Sequence, residues 1–222
     1  MKKVSVIIPI SKNIKVREQN FRWVEEFYKK LMPNYELCIG ESDEQPFPKA
    51  KVINEAVKRS TGDILIIADA DLIYDPAIIE ESIKLLNSHA WVIPFRSVYN
   101  ISQESTEQLL KEEPEWPIPI DVETKKRPNA AKGGVNIMPR KHFETVGGFD
   151  ERFVGWGGED EAFAVSLSAM CGRVKRLDES LYHLWHKQRN FSQYKSNRAI
   201  LKKYLSGKEQ IRKEVEYRKR MK

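Results

Sequence analysis

Asp69-Ala70-Asp71 sets two carboxylates one residue apart, directly after the apolar run Ile64 to Ala68. Oxygen ligands of this kind suit a hard divalent cation, Mg2+ or Mn2+, and the phosphates it carries. Acidic residues also follow strands as ordinary helix caps, and the triplet alone fits either use. A second cluster, Gly155-Trp156-Gly157-Gly158-Glu159-Asp160-Glu161, puts three carboxylates at a helix start, behind three glycines that permit a tight backbone path. Complementing the helix dipole accounts for one acid but leaves a tryptophan between glycines unexplained. A sugar site uses all of them: Trp156 stacks on a pyranose face, Glu159 holds hydroxyls, and Asp160 takes a proton from an acceptor hydroxyl. His183-Leu184-Trp185-His186 holds two of the four histidines. Neutral imidazole ligates Mn2+ or Zn2+, with a core or surface histidine as the alternative. On an extended segment i and i+3 face opposite ways, so both rings reach one metal only if the chain turns after Trp185.

Two weaker features accompany these. Phe47-Pro48-Lys49-Ala50-Lys51-Val52-Ile53-Asn54 places lysines at a helix start, which favours phosphate, although surface lysines are commonplace. In Lys132-Gly133-Gly134-Val135-Asn136, paired glycines enter a strand, as they do at a bulge or where a ligand approaches the backbone.

The elements that must position these groups read as alternating strands and helices. Val4 to Ile8 is a short β-branched run stopped by Pro9, the pattern of a buried parallel strand. Phe21, Val24, Phe27 and Leu31 follow at helical spacing, and Pro33 ends that helix. Tyr35–Ile39, Asp63–Ala68 and Trp91–Phe95 read as further strands, with helical stripes between them. This order predicts an α/β domain with a largely parallel sheet. In open sheets of that type ligands bind outside the carboxyl ends of the strands, where Asp69 to Asp71 fall. Residues 114–132 hold four prolines and read as a long loop. Strands resume at Val135–Met138, Val174–Leu177 and Leu181–Trp185, a helix spans Asp160–Met170, and the chain from Phe191 onward is helical and basic.

Length and composition bound the rest. The 222 residues suit one large domain. With 41% hydrophobic and 32% charged residues, the composition is not that of a disordered chain. Two cysteines, Cys38 and Cys171, make no disulfide framework, and a reducing compartment is expected. The apolar run after Met1-Lys2-Lys3 is too short for a signal peptide, and no stretch of about 18 apolar residues occurs.

Taken together and in order, these stretches resemble the nucleotide-sugar glycosyltransferases of GT-A fold. Residues from about 4 to 190 are similar to the inverting β-1,4-galactosyltransferase type, or more broadly to family 2. The Trp-Gly-Gly-Glu-Asp run is the most specific part, and Gly147-Gly148-Phe149 falls in its expected place. The resemblance implies a Rossmann-like, mostly parallel sheet flanked by helices, with residues 1–190 catalytic and 191–222 a basic helical extension. It implies Asp71, His186 and His183 as metal ligands and Mn2+ or Mg2+ as cofactor. Pro9, Ile10 and Ser11 would line the base and ribose, and Glu41 and Asp43 would hold uracil. Lys49 would face the nucleotide beside Asn54, Asp69 and Ala70. Gly133 and Gly134 would let the donor sugar approach the backbone. Trp156 and Glu159 would contact sugars, and Asp160 would be the catalytic base.

The implied reaction moves a hexose or N-acetylhexosamine (Gal, GalNAc or GlcNAc) from a UDP-sugar to a glycan, lipid-linked or peptide acceptor, with inversion. Two departures bear on this. Ala131 stands where the family has an aromatic residue, leaving room for an N-acetyl group. Arginines expected after the first strand are missing, with only Lys12 nearby. The animal enzymes' membrane anchor and disulfides are missing too, which favours a cytoplasmic enzyme of bacterial or phage surface-glycan synthesis. Three rivals are a retaining transferase of the polypeptide N-acetylgalactosaminyl type, a nucleic-acid-binding protein, and an inactive sugar-binding relative. The net charge of +6 suggests nucleic acid. It is not evenly spread, however. Residues 195–222 carry 11 Lys+Arg and 3 Asp+Glu, a balance of +8, so the rest of the chain holds 27 against 29. No nucleic acid is therefore expected at the active site, and the basic tail is expected as an appendage, either solvated or lying on an anionic membrane surface or a partner.

Overall fold

All eight residues of Val4–Ser11 are buried, and they form the central strand β1. The computed structural model describes residues 2–12, 14–128, 132–187 and 191–221. In chain order the elements after β1 are α1 (Lys15–Leu31), β2 (Glu36–Ser42), α2 (Lys49–Arg59), β3 (Ile64–Ala68), β4 (Leu72–Ile73), α3 (Ala77–Leu85), β5 (Trp91–Ile93), β6 (Ser97–Ile101) and α4 (Gln103–Leu109). They continue with β7 (Thr124–Lys126), β8 (Val135–Pro139), α5 (Arg140–Thr145), α6 (Glu159–Met170), β9 (Val174–Arg176), β10 (Ser180–His183), α7 (Tyr194–Tyr204) and α8 (Lys208–Arg220).

The larger sheet has the order β2-β1-β3-β8-β5-β9. Strand β1 pairs parallel to both β2 and β3, and β5 pairs parallel to β9. The expected parallel order holds for these strands, but β8 runs antiparallel between β3 and β5. The chain leaves β5 by a long excursion through β6, α4 and β7 and re-enters the sheet at the end it left, so β8 brings its own N-terminus to the carboxyl end of β3. Ala68 faces Val135, and the Asp69 N–H donates to the Gly134 carbonyl at 2.9 Å. Helices α1 and α2 cover β1 and β2 through buried stripes that include Phe21, Val24 and Phe27 on α1 and Ala50, Ile53 and Ala56 on α2.

A smaller sheet, β4-β10-β6-β7, was not expected from the sequence. Its strands are short and carry many partly exposed polar residues, so the alternation that marks a strand is weak in them. It sets His183 opposite Leu72, next to Asp71.

The basic tail is not an appendage. Helices α7 and α8 pack on α6 around a second apolar cluster of Phe153, Ala162, Leu201, Tyr204, Ile211 and Val215. Arg218 is buried among the carbonyls of Val146 and Gly148, donating at 2.9 and 3.1 Å. Asp150 receives the Tyr204 hydroxyl and the Arg152 guanidinium, both at 2.7 Å, and Arg152 also bonds Glu214 of α8 at 2.6 Å. Burial alone would raise the Asp150 pKa, but these hydrogen bonds and the Arg218 charge hold it below the ordinary carboxylate value.

Candidate active site

Beyond the carboxyl ends of β1 and β3 lies a cavity of about 890 Å³. Connections leave β1 toward β2 on one side and return past it to β3 on the other, which opens a crevice at this point of the sheet. Pro9, Ile10 and Ser11 line it from β1, Asp69, Ala70 and Asp71 from the turn after β3, and Gly133 and Gly134 from the entry to β8. Lys49 lines it from the first residue of α2, and Trp156, Glu159 and Asp160 from the loop and first turn that open α6.

Asp71 is buried beneath two imidazoles. His186 Nε2 lies 3.2 Å from Asp71 Oδ2, and His183 Nε2 lies 3.5 Å from Oδ1. The three residues offer ligand atoms all within 4.8 Å of one another, one carboxylate and two imidazoles, a donor set that fits a divalent transition metal. Strand β10 ends at His183, and the rings of His183 and His186 nevertheless come together, their centroids 5.0 Å apart. The Leu184 N–H donates to the Asp71 carbonyl at 2.9 Å, the Trp185 N–H to Thr106 Oγ1 at 3.0 Å, and Asn20 of α1 to the Trp185 carbonyl at 2.9 Å. Burial opposes the charge on Asp71, but the imidazoles and Arg17 hold its carboxyl far below the usual range.

A second centre surrounds the Lys49 ammonium. It lies 2.9 Å from Asp69 Oδ1, 3.1 Å from both oxygens of Asp160 and 3.5 Å from Glu159 Oε1. One cation thus serves three carboxylates. Burial pushes the Asp160 pKa up, and the Glu159 and Asp69 charges push further while Lys49 opposes them, leaving the group at about 7. Lys49 is itself raised well above the ordinary lysine value, because its carboxylates outweigh the cost of burial. The second oxygen of Glu159, Oε2, is buried with no hydrogen-bond partner among the described residues. Gly133 is required by this packing, since a Cβ there would fall 1.9 Å from Asp160 Oδ2.

Three of the expected site residues are elsewhere. Asn54 is buried below the cavity, where it accepts from the Phe149 N–H at 2.9 Å and donates to the Phe149 carbonyl at 2.9 Å, so it clamps the turn before the glycine-rich loop. Glu41 is exposed at the end of β2 and paired with Lys12, and Asp43 is exposed just beyond; neither lines the cavity. His186 does not line it either, but it stands behind Asp71 as above. Ala131 lies outside the described residues.

Two groups escaped the sequence reading. Arg17, in the first turn of α1, lines the cavity with its Nη1 3.9 Å from Asp71 Oδ2, so an arginine does follow the first strand. It sits six residues past Ser11, farther along than a search next to the strand reaches. The other is α7, which lines the cavity with Tyr194, Arg198 and Leu201. The buried Asn197 amide donates to the carbonyls of Val154 at 3.0 Å and Trp156 at 3.1 Å, fixing the glycine-rich loop from above.

The sequence profile of glycosyl transferase family 2 matches residues 24–146, and that of the N-terminal domain of galactosyltransferase matches residues 121–187. No curated protein matches the chain at a significant level. Among solved structures, the catalytic domain of Drosophila β1,4-galactosyltransferase 7 complexed with xylobiose superposes with a TM-score of 0.51 at 15% identity, covering 89% of this chain and 80% of that one. A mutant of that enzyme complexed with manganese, UDP-Gal and xylobiose gives 0.53 at 16% identity over the same shares. The mannosyltransferase PcManGT from Pyrobaculum calidifontis, in complex with GDP-Man and Mn2+, gives 0.51 at 16% identity, covering 89% of this chain and 61% of that one. At these identities the likeness carries the fold, which is of the GT-A type.

Proposed function

Because the chain belongs to glycosyl transferase family 2, whose profile spans more than half of it, we propose that it transfers a hexose or N-acetylhexosamine from a nucleoside diphosphate sugar to an acceptor hydroxyl, with inversion. One observation carries this reading: Asp71 and His183, backed by His186, line the same cavity as Asp160, a separate carboxylate poised near neutrality. Asp71, His183 and His186 would hold Mn2+ or Mg2+, which when bound supplies positive charge to the leaving diphosphate. The related galactosyltransferase and mannosyltransferase complexes contain manganese with UDP-Gal and with GDP-Man, so both nucleotide classes belong in the test.

The chain's own residues divide the remaining work. Pro9, Ile10 and Ser11 form the floor under the nucleotide, and Arg17 faces the diphosphate from the metal side. Trp156 and Glu159 orient the sugars. Asp160 accepts the proton of the acceptor hydroxyl as its oxygen attacks the anomeric carbon from the face opposite the departing phosphate. Lys49 steadies the Asp69, Glu159 and Asp160 carboxylates in place, rather than reaching toward a base. No described helix is long and apolar enough to cross a membrane. A cytoplasmic site of action, with the exposed basic surface of α7 and α8 resting on an anionic membrane face, belongs to this proposal; sedimentation with anionic and neutral vesicles tests it.

A screen of UDP- and GDP-sugars with and without Mn2+, read by donor hydrolysis and thermal shift, tests the function. Stabilisation by one nucleotide class that depends on Mn2+ is expected; indifference to every nucleotide sugar would overturn the reading. NMR of the product anomer tests inversion, and retention would reject it.

A further inference from the structure

Helix α7 turns Tyr194, Arg198 and Leu201 toward the cavity, at spacings of four and three residues that lie on one helical face. Tyr194 stacks on Trp156 with ring centroids 5.7 Å apart and planes 21° apart, and Phe191 meets Trp156 edge-on at 4.9 Å. Packing for stability would bury such rings, yet Phe191 is 53% and Tyr194 42% exposed. The result is an open aromatic shelf that continues from Trp156, three and four residues before Glu159 and Asp160, outward along α7. An exposed aromatic face suits the C–H face of a pyranose ring. One turn beyond Tyr194 stands Arg198, exposed, lining the same cavity, and in no ion pair among the described residues. Among the other cations that line the cavity, Lys49 is engaged with its three acids and Lys132 with Glu161 at 2.6 Å. A guanidinium held on a shelf wall has the fork geometry that takes a carboxylate or a phosphate with two hydrogen bonds.

We propose that Tyr194 and Arg198 form an acceptor subsite for an anionic saccharide, the tyrosine stacking on a sugar ring and the arginine binding a carboxylate or phosphate attached to it. This rests on the glycosyltransferase reading for the word acceptor, but the binding itself does not. Asn197 between them keeps the shelf in register with Trp156 through its two carbonyl contacts. The anionic group has two sources, a uronate within a glycan or the phosphate of a glycosyl diphosphate.

Calorimetric titration of the full chain, with no donor present, distinguishes them. Three probes serve: a hexasaccharide alternating glucuronate and N-acetylhexosamine, its neutral carboxyl-reduced counterpart, and a glycosyl diphosphate with a short alkyl tail. One charged probe is expected to bind about tenfold or more tighter than the neutral hexasaccharide, and Arg198→Ala is expected to remove that preference. Tyr194→Ala should weaken all three probes, and Tyr194→Phe should restore them, because the stacking face returns. Equal affinity for charged and neutral probes, no binding of any probe, or a preference that survives in Arg198→Ala would overturn the proposal. Mn2+-dependent donor hydrolysis by the wild type is measured in parallel; its absence would instead overturn the parent reading and leave the titration standing.

Discussion

Replacing Lys49 with methionine removes, among the described residues, the only cation in contact with Asp69, Glu159 and Asp160, while keeping the volume of the side chain. The ammonium sits 2.9 Å from Asp69, 3.1 Å from Asp160 and 3.5 Å from Glu159. An opposite charge at such range lowers a carboxyl pKa by about 1 to 3 units, and its loss raises the pKa by as much. Asp160 starts at about 7, so in Lys49→Met its titration moves upward, above neutrality. At pH 7 the ionised fraction of the proposed base falls from about one half to about a tenth or less, and activity falls with it, tenfold for each further unit. The assay is the pH dependence of kcat/KM at saturating Mn2+, which reports the essential groups of the free enzyme. Its acid limb should move upward in Lys49→Met and stay in place in Lys49→Arg. The same shift has a signature in stability. A carboxyl whose folded pKa lies above its unfolded value favours the fold at low pH, and that contribution is lost as the pH rises from about 4 through 7. Lys49→Met should extend this loss to higher pH in thermal melts of the metal-free protein. An acid limb that stays put, or moves down, while activity drops would refute the argument and return Lys49 to a contact with the donor alone.

Asp71→Ala should abolish Mn2+ binding measured by titration while the fold survives, since it removes the carboxylate between the two imidazoles; unchanged Mn2+ affinity would reject the ligand assignment. Gly133→Ala should lower kcat with little change in melting temperature, because the added methyl displaces the Asp160 carboxylate rather than the backbone; wild-type turnover would reject the crowding. Asn197→Ala should cost about 1–3 kcal/mol in denaturant unfolding and raise KM, through the freed Val154 and Trp156 carbonyls; an unchanged KM would show that the loop holds itself. Asp150→Ala should cost about 3–5 kcal/mol by leaving Arg218 buried without its carboxylate. In the wild type the depressed Asp150 pKa stabilises the fold above the ordinary carboxylate pKa, and that contribution is lost as the pH falls through the folded value. Asp150→Asn should therefore be less stable than the wild type near neutral pH and should lose the Asp150-linked part of the acid dependence; an acid profile identical to the wild type would exclude this role.

Much of the site was legible because its members are close in sequence. Asp69 and Asp71 follow a strand whose five residues are all buried, and Glu159 and Asp160 open a helix behind glycines, two of which adopt positive φ immediately before it. Short-range pattern suffices for such features. Asn54 misled because it sits in the right motif on the wrong face of α2: it points into the turn at Phe149, 95 residues away, and nothing local marks that direction. Glu41 and Asp43 misled because position after a strand places a residue at the cavity end of the sheet without turning its side chain inward.

The sequence by itself determined the kinds of group available and the alternation of elements that bring strand ends to one edge, since hydrophobic period and glycine and proline placement act over a few residues. Tertiary structure alone decided which charges meet. Lys49 joins Asp69 and Asp160 across 20 and 111 residues, and Arg17 reaches Asp71 across 54, separations that carry no local signal. The same holds for the basic tail. Its composition reads as a solvated helix, but Leu201, Tyr204, Ile211 and Val215 bury against α6, and that packing turns Tyr194 and Arg198 into the wall of the cavity. Charge counts record how many cations a segment has; only the packing of its apolar face settles where they point.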